Sequence, residues 1–342
     1  MESLAVKYRP TTWADLVCQD TVKEILQNQI ETGEFKQAYL FCGSAGTGKT
    51  TSARIFAREV NNGQGNIIEI DGASNNGVDN IRDLIEDCKM RPLQGKYKVY
   101  IIDEVHMLSQ GAFNALLKVL EEPPKGVIFI LATTDPHKIP ATILSRCQRF
   151  DFTRIPVPFI TQRINAILDT ENLYYGGEIK YEEKALEYIA KLANGGMRDA
   201  IMKLDTVLGY TLDITVENVV KCLGVVTYTD MIDIVYNIIC RKPEDVLYSI
   251  DKIYMSGKDL RLFMRDIHKF VVDLTKYYLT RDLTVTSIPE GYLGEIKDLV
   301  EEIELDECIY ILDVFEDICM KILKAVDIKA TIESEVLLAC LK

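Results

Sequence analysis

The sequence contains no long apolar run and no closely paired cysteines. No apolar segment approaches the roughly 18–20 residues that a membrane helix needs, and the first residues, MESLAVKYRP, lack the basic and then apolar order of a signal peptide. The nine cysteines stand singly, without a C-x-x-C pair, which argues against a disulfide framework or a zinc site. We therefore expect a soluble, cytoplasmic protein with reduced thiols and no membrane contact.

Low-complexity tracts and fixed-period repeats are also absent, which excludes solenoid architectures and long disordered regions. Of the 342 residues, 48% are hydrophobic and 27% are charged, an ordinary composition for a globular protein that buries a core. The length suggests two or three domains.

An excess of positive charge, as expected of a protein coated by nucleic acid, is missing. The net charge is −13, and it is unevenly distributed. Residues 1–156 carry 18 Lys and Arg against 19 Asp and Glu, a net of −1, whereas residues 157–342 carry 21 against 33, a net of −12. We expect any phosphate backbone to contact the near-neutral first half, and the acidic second half to face protein partners.

Short apolar runs alternate with helical patterns in the first 155 residues. The predicted strands are AYLFCG (38–43), NIIEID (66–71), YKVYIID (97–103), GVIFILAT (126–133) and QRFDF (148–152). Helices are predicted from Asp20 to Thr32, after Lys49, over 77–90 and over 109–122. Continuous apolar strands separated by helices predict an α/β fold with a parallel sheet buried on both faces.

Helical periodicity dominates after the proline-marked segment IPVPF (155–159), over 160–173, 181–194, 197–209 and again from about Thr227 onward. The segment 279–294 is predicted to be a loop. These patterns predict three domains: an α/β domain at 1–155, a small helical domain at 156–226, and a larger all-α domain at 227–342.

GSAGTGKT (43–50) matches the phosphate-loop motif G-x-x-x-x-G-K-[ST], between a predicted strand and a predicted helix. Gly43, Gly46 and Gly48 let backbone N–H groups turn toward phosphates. Lys49 would reach the β- and γ-phosphates and Thr50 would bind Mg²⁺. A glycine-rich turn without a ligand is the alternative, which the complete motif in this context argues against. The predicted nucleotide contacts here are Gly43, Ser44, Ala45, Gly46, Thr47, Gly48, Lys49, Thr50 and Thr51.

KVYIIDEVH (98–106) places two carboxylates after a buried strand, at the edge of the sheet where α/β proteins bind ligands. Asp103 would hold Mg²⁺, directly or through water, and Glu104 would orient and deprotonate the attacking water. His106 is a possible base, but a packed structural histidine is the favoured interpretation because Glu104 fills that role.

Several longer segments together carry a family resemblance. They are GSAGTGKT, IEIDGASNNGVDNIRDL, YIIDEVHMLSQGAFNALLKVLEEPP, LATTDPHKIPATILSRCQRF and GGMRDA. The chain thereby resembles the gamma/tau subunits of the bacterial DNA polymerase III clamp loader, a family of AAA+ ATPases. The resemblance is dense from about Leu4 to Gly224 and thinner, but consistent in helical character, to residue 342.

The resemblance implies that 1–155 is an AAA+ nucleotide-binding core, 156–226 a helical lid domain and 227–342 an oligomerisation collar. It also implies roles for further residues. Thr134 matches the sensor 1 residue that touches the γ-phosphate or the attacking water, with Thr133 as the adjacent alternative. Arg198 matches the sensor 2 arginine of the lid, although by itself it reads as a solvated arginine paired with Asp199. Arg146, in ILSRC, would end a short helix far from Lys49. Its expected target is the γ-phosphate bound by a neighbouring subunit.

The N-terminal segment KYRPTTWADLVCQD (7–20) matches the part of the family that lies over the adenine. Tyr8, Arg9, Pro10 and Val17 are the expected contacts, and a docking strap anchored by Trp13 is a compatible alternative. DNA contact is expected at the helix N-terminus preceded by Ser74, Asn75, Asn76 and Gly77. These four residues carry no positive charge, so an ordinary N-cap turn is equally compatible with them.

One departure from the family concerns zinc. Family members usually carry a four-cysteine zinc module before the IEIDGAS strand, but this interval is only VNNGQGN (60–66), without a cysteine. Because structural zinc needs four ligands, we expect a divergent member that binds ATP and Mg²⁺ but no zinc.

The expected function is that of an ATP-hydrolysing subunit of a sliding-clamp loader. Its partners would be the other loader subunits in a homo- and hetero-oligomeric, pentameric spiral, the sliding clamp and primer–template DNA. No long tau-type extension is expected. Two alternatives stay open: another AAA+ DNA machine, such as a Holliday-junction motor or helicase loader, and a non-hydrolysing structural subunit of the loader.

Overall fold

The computed structural model describes residues 2–63, 65–90, 95–223 and 228–341. They form two compact units, which divide between Thr215 and Val216. The two predicted domain boundaries stay predictions, and the one at 226 lies outside the described residues.

A parallel sheet of five strands forms the centre of the first unit. Its strands are β1 (Ala38–Gly43), β2 (Asn66–Asp71), β3 (Lys98–Asp103), β4 (Val127–Thr133) and β5 (Gln148–Phe152). They lie in the order β2-β3-β4-β1-β5, and every adjacent pair is parallel. β4 is buried over its whole length and β1 and β3 over all but the last residue. The prediction from continuous apolar runs is therefore confirmed.

Helices cover both faces of this sheet. The helices of the first unit are α1 (Leu4–Lys7), α2 (Asp20–Thr32), α3 (Lys49–Val60), α4 (Val78–Cys88), α5 (Gln110–Glu121), α6 (Ala141–Leu144), α7 (Val157–Tyr174), α8 (Glu183–Leu192) and α9 (Met197–Tyr210). One apolar cluster joins α2 and α3 to the sheet, and a second joins α4 and α5 to it.

Local signals in the sequence set the ends of these helices. The Ser109 hydroxyl caps α5 by accepting a hydrogen bond from the Ala112 backbone at 3.3 Å, and two prolines follow the helix. The C-cap of α2 is Gly33, which adopts the left-handed conformation at φ 70° that glycine tolerates at the end of a helix.

Helices α7 to α9 make up the lid region of the first unit. Beside them, β6 (Lys180–Tyr181) and β7 (Asp213–Ile214) pair in parallel. The sequence pattern did not predict this ribbon, and it assigned Tyr181 to a helix that in fact begins at Glu183.

The second unit is helical in its described part, as predicted. Its helices are α10 (Val216–Leu223), α11 (Tyr228–Ile239), α12 (Pro243–Met255), α13 (Leu260–Thr280), α14 (Leu293–Glu302), α15 (Leu305–Ile322) and α16 (Ile328–Leu341). One apolar core joins α11 to α16. The segment predicted as a loop contains two single turns of 3-10 helix, Leu283–Val285 and Glu290–Tyr292.

Within the described residues, no single helix is long and apolar enough to cross a membrane. The pair α10 and α11 passes that test together, by length and composition only.

Candidate nucleotide site

A cavity of about 340 Å³ opens between the phosphate loop, the N-terminal segment and the lid helices. It lies at the carboxyl ends of β1 and β3, where open α/β sheets bind ligands. The predicted site residues that line it are Tyr8, Arg9, Pro10, Val17, Ala45, Gly46, Thr47, Gly48, Lys49, Thr50, Thr51, Asp103, Glu104 and Arg198. The sequence therefore identified residues from four separate segments that the fold brings together.

Glycine is required at two points of the phosphate loop. Gly43 has φ 151°, and a Cβ there would overlap the Phe152 carbonyl oxygen of the neighbouring strand. Gly46 has φ 74°, and a Cβ there would lie 3.1 Å from the Cα of Gly196, at the start of the lid helix α9. The loop is thus packed against backbone on both sides.

Lys49 is 5% exposed, and its ammonium donates to the carbonyl oxygens of Gly43 at 2.8 Å and Ser44 at 2.9 Å. Burial lowers the pKa of Lys49, an effect that the carboxylates of Glu104 and Asp103 partly offset. The carbonyl oxygens of Gly43 and Ser44 thus hold the end of the Lys49 side chain. The lysine charge lies beside the backbone N–H groups of the loop, which would bind phosphates.

Thr50 and Asp103 lie side by side at the cavity wall. The Thr50 hydroxyl donates to Asp103 Oδ2 at 2.6 Å, and Asp103 Oδ1 accepts from the Glu104 backbone N–H at 2.9 Å. Hydroxyl and carboxylate oxygens are the ligands that Mg²⁺ prefers, and these two are close enough to share one ion. The residues present therefore fit the expected metal.

Glu104 is held by residues at the ends of β3 and β4, the strand between β3 and β1. Its Oε2 accepts from the Thr134 hydroxyl at 2.9 Å and from the Thr134 backbone at 3.3 Å. His106 Nδ1 lies 3.3 Å from the same oxygen and 3.0 Å from the Thr133 hydroxyl. Of the two candidate threonines, Thr134 contacts the proposed base, whereas Thr133 is fully buried beside His106.

The lid reaches the cavity through the first turn of α9. Arg198 lines the cavity and is exposed, and the backbone N–H of the preceding Met197 donates to the Gly46 carbonyl at 2.9 Å. Asp199 pairs with Lys203 at 3.5 Å. Arg198 is therefore part of the cavity wall, and its contact with a phosphate stays a prediction.

Residues of the N-terminal segment also line the cavity. Burial lowers the pKa of Arg9, and the positive charges of Arg54 and Arg198 lower it further. Trp13 is buried, and its indole N–H donates to Glu59 of α3 at 2.7 Å. The cavity-lining and anchoring interpretations of this segment are therefore compatible.

Arg146 follows the short helix α6 and does not line the cavity. Its guanidinium donates to Glu121 at 2.7 Å, at the end of α5, and to the Thr142 carbonyl at 2.7 Å. Its side chain is 33% exposed. The guanidinium is thus held at the surface in a fixed orientation.

Ser74, Asn75, Asn76 and Gly77 connect β2 to α4. Asp71 organises this segment, since its carboxylate accepts from the Ser74 hydroxyl at 2.7 Å and from the Ala73 backbone at 3.0 Å. Ser74 and Asn76 are exposed, and Asn75 and Gly77 are partly exposed. Because an acid holds the turn, the predicted DNA contact would depend on backbone N–H groups and stays a prediction.

Other residues of the cavity wall were not predicted. Arg54 of α3 and Glu69 of β2 form a two-bond ion pair there, with Nε–Oε2 at 2.7 Å and Nη2–Oε1 at 2.5 Å. Arg163 of α7 also lines the cavity. The one signal in the sequence was an arginine, Arg54, five residues after Lys49 on the same helix. That spacing does not show that its partner would be Glu69 of β2.

All nine cysteines are free thiols. In the described ranges, no group of three or more His, Cys, Asp or Glu side chains is arranged to hold a metal ion. The expectation that this chain binds no zinc stays a prediction.

The strand order, the phosphate loop, the acidic pair after β3 and the helical lid define an AAA+ ATPase fold. RuvB of Thermotoga maritima, a Holliday junction branch migration motor, aligns with a TM-score of 0.52 over 68% of this chain and 79% of that chain. At 22% identity this likeness concerns the fold alone.

Sequence comparison identifies the family. Three family models match consecutive segments: DNA polymerase III, delta subunit, at 61–156; DNA polymerase III clamp loader subunit, ATPase lid domain, at 159–208; and DNA polymerase III subunits gamma and tau domain III at 214–333. The chain belongs to the gamma/tau family of DNA polymerase III clamp-loader subunits.

Two relatives illustrate the extent of the match. DNA polymerase III subunit tau of Bacillus subtilis is 43% identical over 312 residues, which are 85% of this chain and 53% of that protein. The gamma/tau subunit of Mycoplasma genitalium is 33% identical over 312 residues, 84% of this chain and 51% of that protein. The chain thus spans about half the length of these relatives.

Proposed function

We propose that this chain is an ATPase subunit of a DNA sliding-clamp loader. It binds ATP between its α/β core and its lid, and hydrolyses it within an assembly that loads a clamp onto primer–template DNA. One observation carries the proposal: in a chain of the gamma/tau family, Lys49, Thr50, Asp103 and Glu104 all line one cavity with a lid arginine.

Nucleotide binding would rearrange the phosphate loop. The Lys49 ammonium would exchange the carbonyl oxygens of Gly43 and Ser44 for the β- and γ-phosphates, which are stronger acceptors because they are charged. Thr50 and Asp103 would hold Mg²⁺, which when bound offsets the charge of the phosphates. Arg198 would contact the γ-phosphate from the lid.

Hydrolysis would use Glu104 as the general base. Its carboxylate is fixed by Thr134, so it can accept a proton from a water in line with the γ-phosphate without first being oriented. Thr134 lies within hydrogen-bond distance of that base, which supports the sensor 1 role. The Arg146 of one copy would stabilise the transferring phosphoryl group bound by the next copy.

Assembly would follow from this shared site. The helical second unit is proposed to form the collar of a pentameric spiral with other loader subunits. Its residues 216–342 carry 15 Lys and Arg against 24 Asp and Glu, a net charge of −9 that suits contacts with proteins rather than DNA. Primer–template DNA would be followed by Ser74, Asn75, Asn76 and Gly77.

Two other functions are less well supported. The fold of a branch migration motor such as RuvB fits at 22% identity, whereas gamma/tau relatives match at 43%. A structural subunit without hydrolysis would have no use for the complete set of Lys49, Thr50, Asp103 and Glu104.

ATP turnover by the assembled complex, with and without clamp and primed DNA, tests the proposal. We expect clamp and DNA together to raise the rate. Absence of turnover in the complete complex would contradict the enzymatic function, and turnover indifferent to the clamp but stimulated by branched DNA would favour the motor.

A further inference from the structure

A buried carboxylate of the lid holds the N-terminal segment. Glu171 of α7 is 5% exposed, and its Oε1 accepts hydrogen bonds from the Lys7 ammonium at 2.7 Å and the Tyr8 hydroxyl at 2.5 Å. Burial by itself would raise the pKa of Glu171. The hydrogen bonds from Lys7 and Tyr8 outweigh that effect, and the pKa lies below its ordinary value. The acid is therefore charged at neutral pH and paired.

Further contacts attach the same segment to the lid. The Leu4 backbone N–H donates to Asp205 of α9 at 3.1 Å, and Arg163 of α7 donates to the Tyr8 carbonyl at 3.4 Å. The Lys7 ammonium also lies 4.2 Å from the centre of the Tyr174 ring. Each partner in these contacts belongs to a lid helix.

The next part of the segment is attached to the core instead. Trp13 is buried and bonded to Glu59 of α3, which follows the phosphate loop. Thr11 and Thr12, between the two anchors, are exposed. Tyr8, Arg9 and Pro10, which line the cavity, therefore lie on the lid side of this connection.

We propose that Glu171 is a positioning residue for the nucleotide: it fixes Tyr8, Arg9 and Pro10 to the lid, so that a bound nucleotide joins lid to core through this segment. The connection acts on the segment that is expected to lie over the adenine, a group that ADP and ATP share. It would therefore contribute to ADP and ATP binding alike, unlike Arg198, whose effect requires the γ-phosphate. This inference rests on the proposed function only in that the cavity binds a nucleotide.

The test measures the Kd of the isolated full chain for fluorescent ADP and for a non-hydrolysable fluorescent ATP analogue. We expect Glu171→Gln to weaken both about tenfold, the order expected when charge-assisted hydrogen bonds to one group are lost. Arg198→Ala should weaken the ATP analogue more than ADP. Glu187→Gln, which changes an exposed glutamate of the lid helix α8, should leave both Kd values unchanged.

A second variant separates positioning from a general loss of structure. Tyr8→Phe removes one hydroxyl and should also weaken ADP binding. It serves as the test if Glu171→Gln does not fold. The double variant should bind ADP no more weakly than Glu171→Gln alone, because the Tyr8 hydroxyl acts through Glu171. In the assembled complex, both single variants should raise KM and leave kcat unchanged.

An unchanged ADP affinity in folded Glu171→Gln would overturn the inference, as would additive losses in the double variant. Both results require a wild-type chain that binds nucleotide. They therefore differ from failure of the proposed function, in which the wild-type complex binds no nucleotide or shows no turnover.

Discussion

Glu104 has an unusual backbone conformation for an acidic residue. It adopts the left-handed region at φ 45°, ψ 45°, where residues other than glycine are uncommon. Such conformations occur often at functional sites because the surrounding structure holds them in place. Here the hydrogen bonds from Thr134 and the neighbouring His106 hold the carboxylate. This residue is therefore the sharpest test of the proposed chemistry.

Glu104→Gln should bind ATP with unchanged affinity and lose at least about 10²-fold in turnover, because an amide cannot accept the proton of the attacking water. Nucleotide affinity of the isolated chain and turnover of the complex are the two measurements. The matched control is Glu31→Gln, which changes an exposed glutamate of α2. Turnover by Glu104→Gln at the wild-type rate would contradict the assignment of the base.

Single residues could be predicted where a motif fixes them in sequence. Lys49, Thr50, Asp103 and Glu104 line the cavity as expected. Glu171 was missed because its partners Lys7 and Tyr8 lie more than 160 positions away. One signal was available: Glu171 continues the apolar stripe of Ile160, Ile164, Ile167 and Leu168 on α7, and a charge on a buried helix face needs a partner.

The pairing of strands β1 and β5 depends on glycine at position 43, which lies against Phe152 of β5. Gly43→Ala should destabilise the first unit by about 3 kcal/mol, since a methyl group there meets the Phe152 carbonyl in addition to an unfavourable φ. Gly33→Ala is the matched control, with φ 70° and no atom within 4 Å of the added Cβ. It should cost only about 1 kcal/mol.

Trp13 makes this measurement specific. It is the one tryptophan of the chain and lies buried in the first unit, so its fluorescence follows the unfolding of that unit in denaturant. Equal midpoint shifts for the two glycine variants would mean that the carbonyl overlap has no cost.

Helix α13 carries a buried acid that fastens the following loop. Asp273 accepts from the backbone and hydroxyl of Ser287, at 2.9 and 2.6 Å, and from Lys276 at 2.9 Å. Burial by itself would raise the pKa of Asp273, but these bonds lower it to below its ordinary value. The stability that the charged form contributes is thus present above the ordinary pKa and is lost as pH falls through the lowered one.

Asp273→Asn should therefore cost the second unit about 2 kcal/mol at pH 7, with a smaller difference from wild type at a pH well below the ordinary pKa of aspartate. Unfolding in denaturant is followed by circular dichroism. The second unit is the part of that signal change that occurs without a change in Trp13 fluorescence. Asp298→Asn, on the exposed face of α14, is the control. A difference that is the same at both pH values would rule out the charged hydrogen bonds as its source.

Elements with a strong pattern were predicted well, and elements held by tertiary contacts were not. Apolar runs and helical periodicity predicted the five central strands, the longer helices of the first unit and the helical character of the second, but not the short α1 or α10. The ribbon of β6 and β7 has two residues in each strand, too few for a period of two to be visible. The resemblance placed Arg198 of α9 near the phosphates, but the backbone contact of this helix with the phosphate loop was missed, since it depends on a close approach of Gly46 and Gly196 that no pattern encodes.

In the whole molecule, Arg146 stands apart from the cavity that its own chain forms. Arg146→Ala should leave nucleotide binding of its own chain unchanged and reduce turnover in the assembly about 10³-fold. Arg149→Ala, which changes an exposed arginine paired with Asp151, is the matched control and should retain turnover.

Mixing two inactive variants makes this prediction specific to a neighbour. An Arg146→Ala chain keeps its own base, and a Glu104→Gln chain keeps its arginine, so a mixed assembly contains some complete sites. Turnover should return on mixing if the arginine acts on the neighbour's nucleotide. Mixtures as inactive as their components would assign Arg146 to its own site or to a structural role.

The hydrogen bond from the Met197 backbone N–H to the Gly46 carbonyl, beside the close approach of Gly196 to Ala45, joins lid and phosphate loop through main-chain atoms alone. A movement that phosphates impose on the loop would reach the lid without passing through any side chain. Alanine scanning cannot remove this route. A proline at Met197, or an ester in place of that single amide, would be needed to interrupt it.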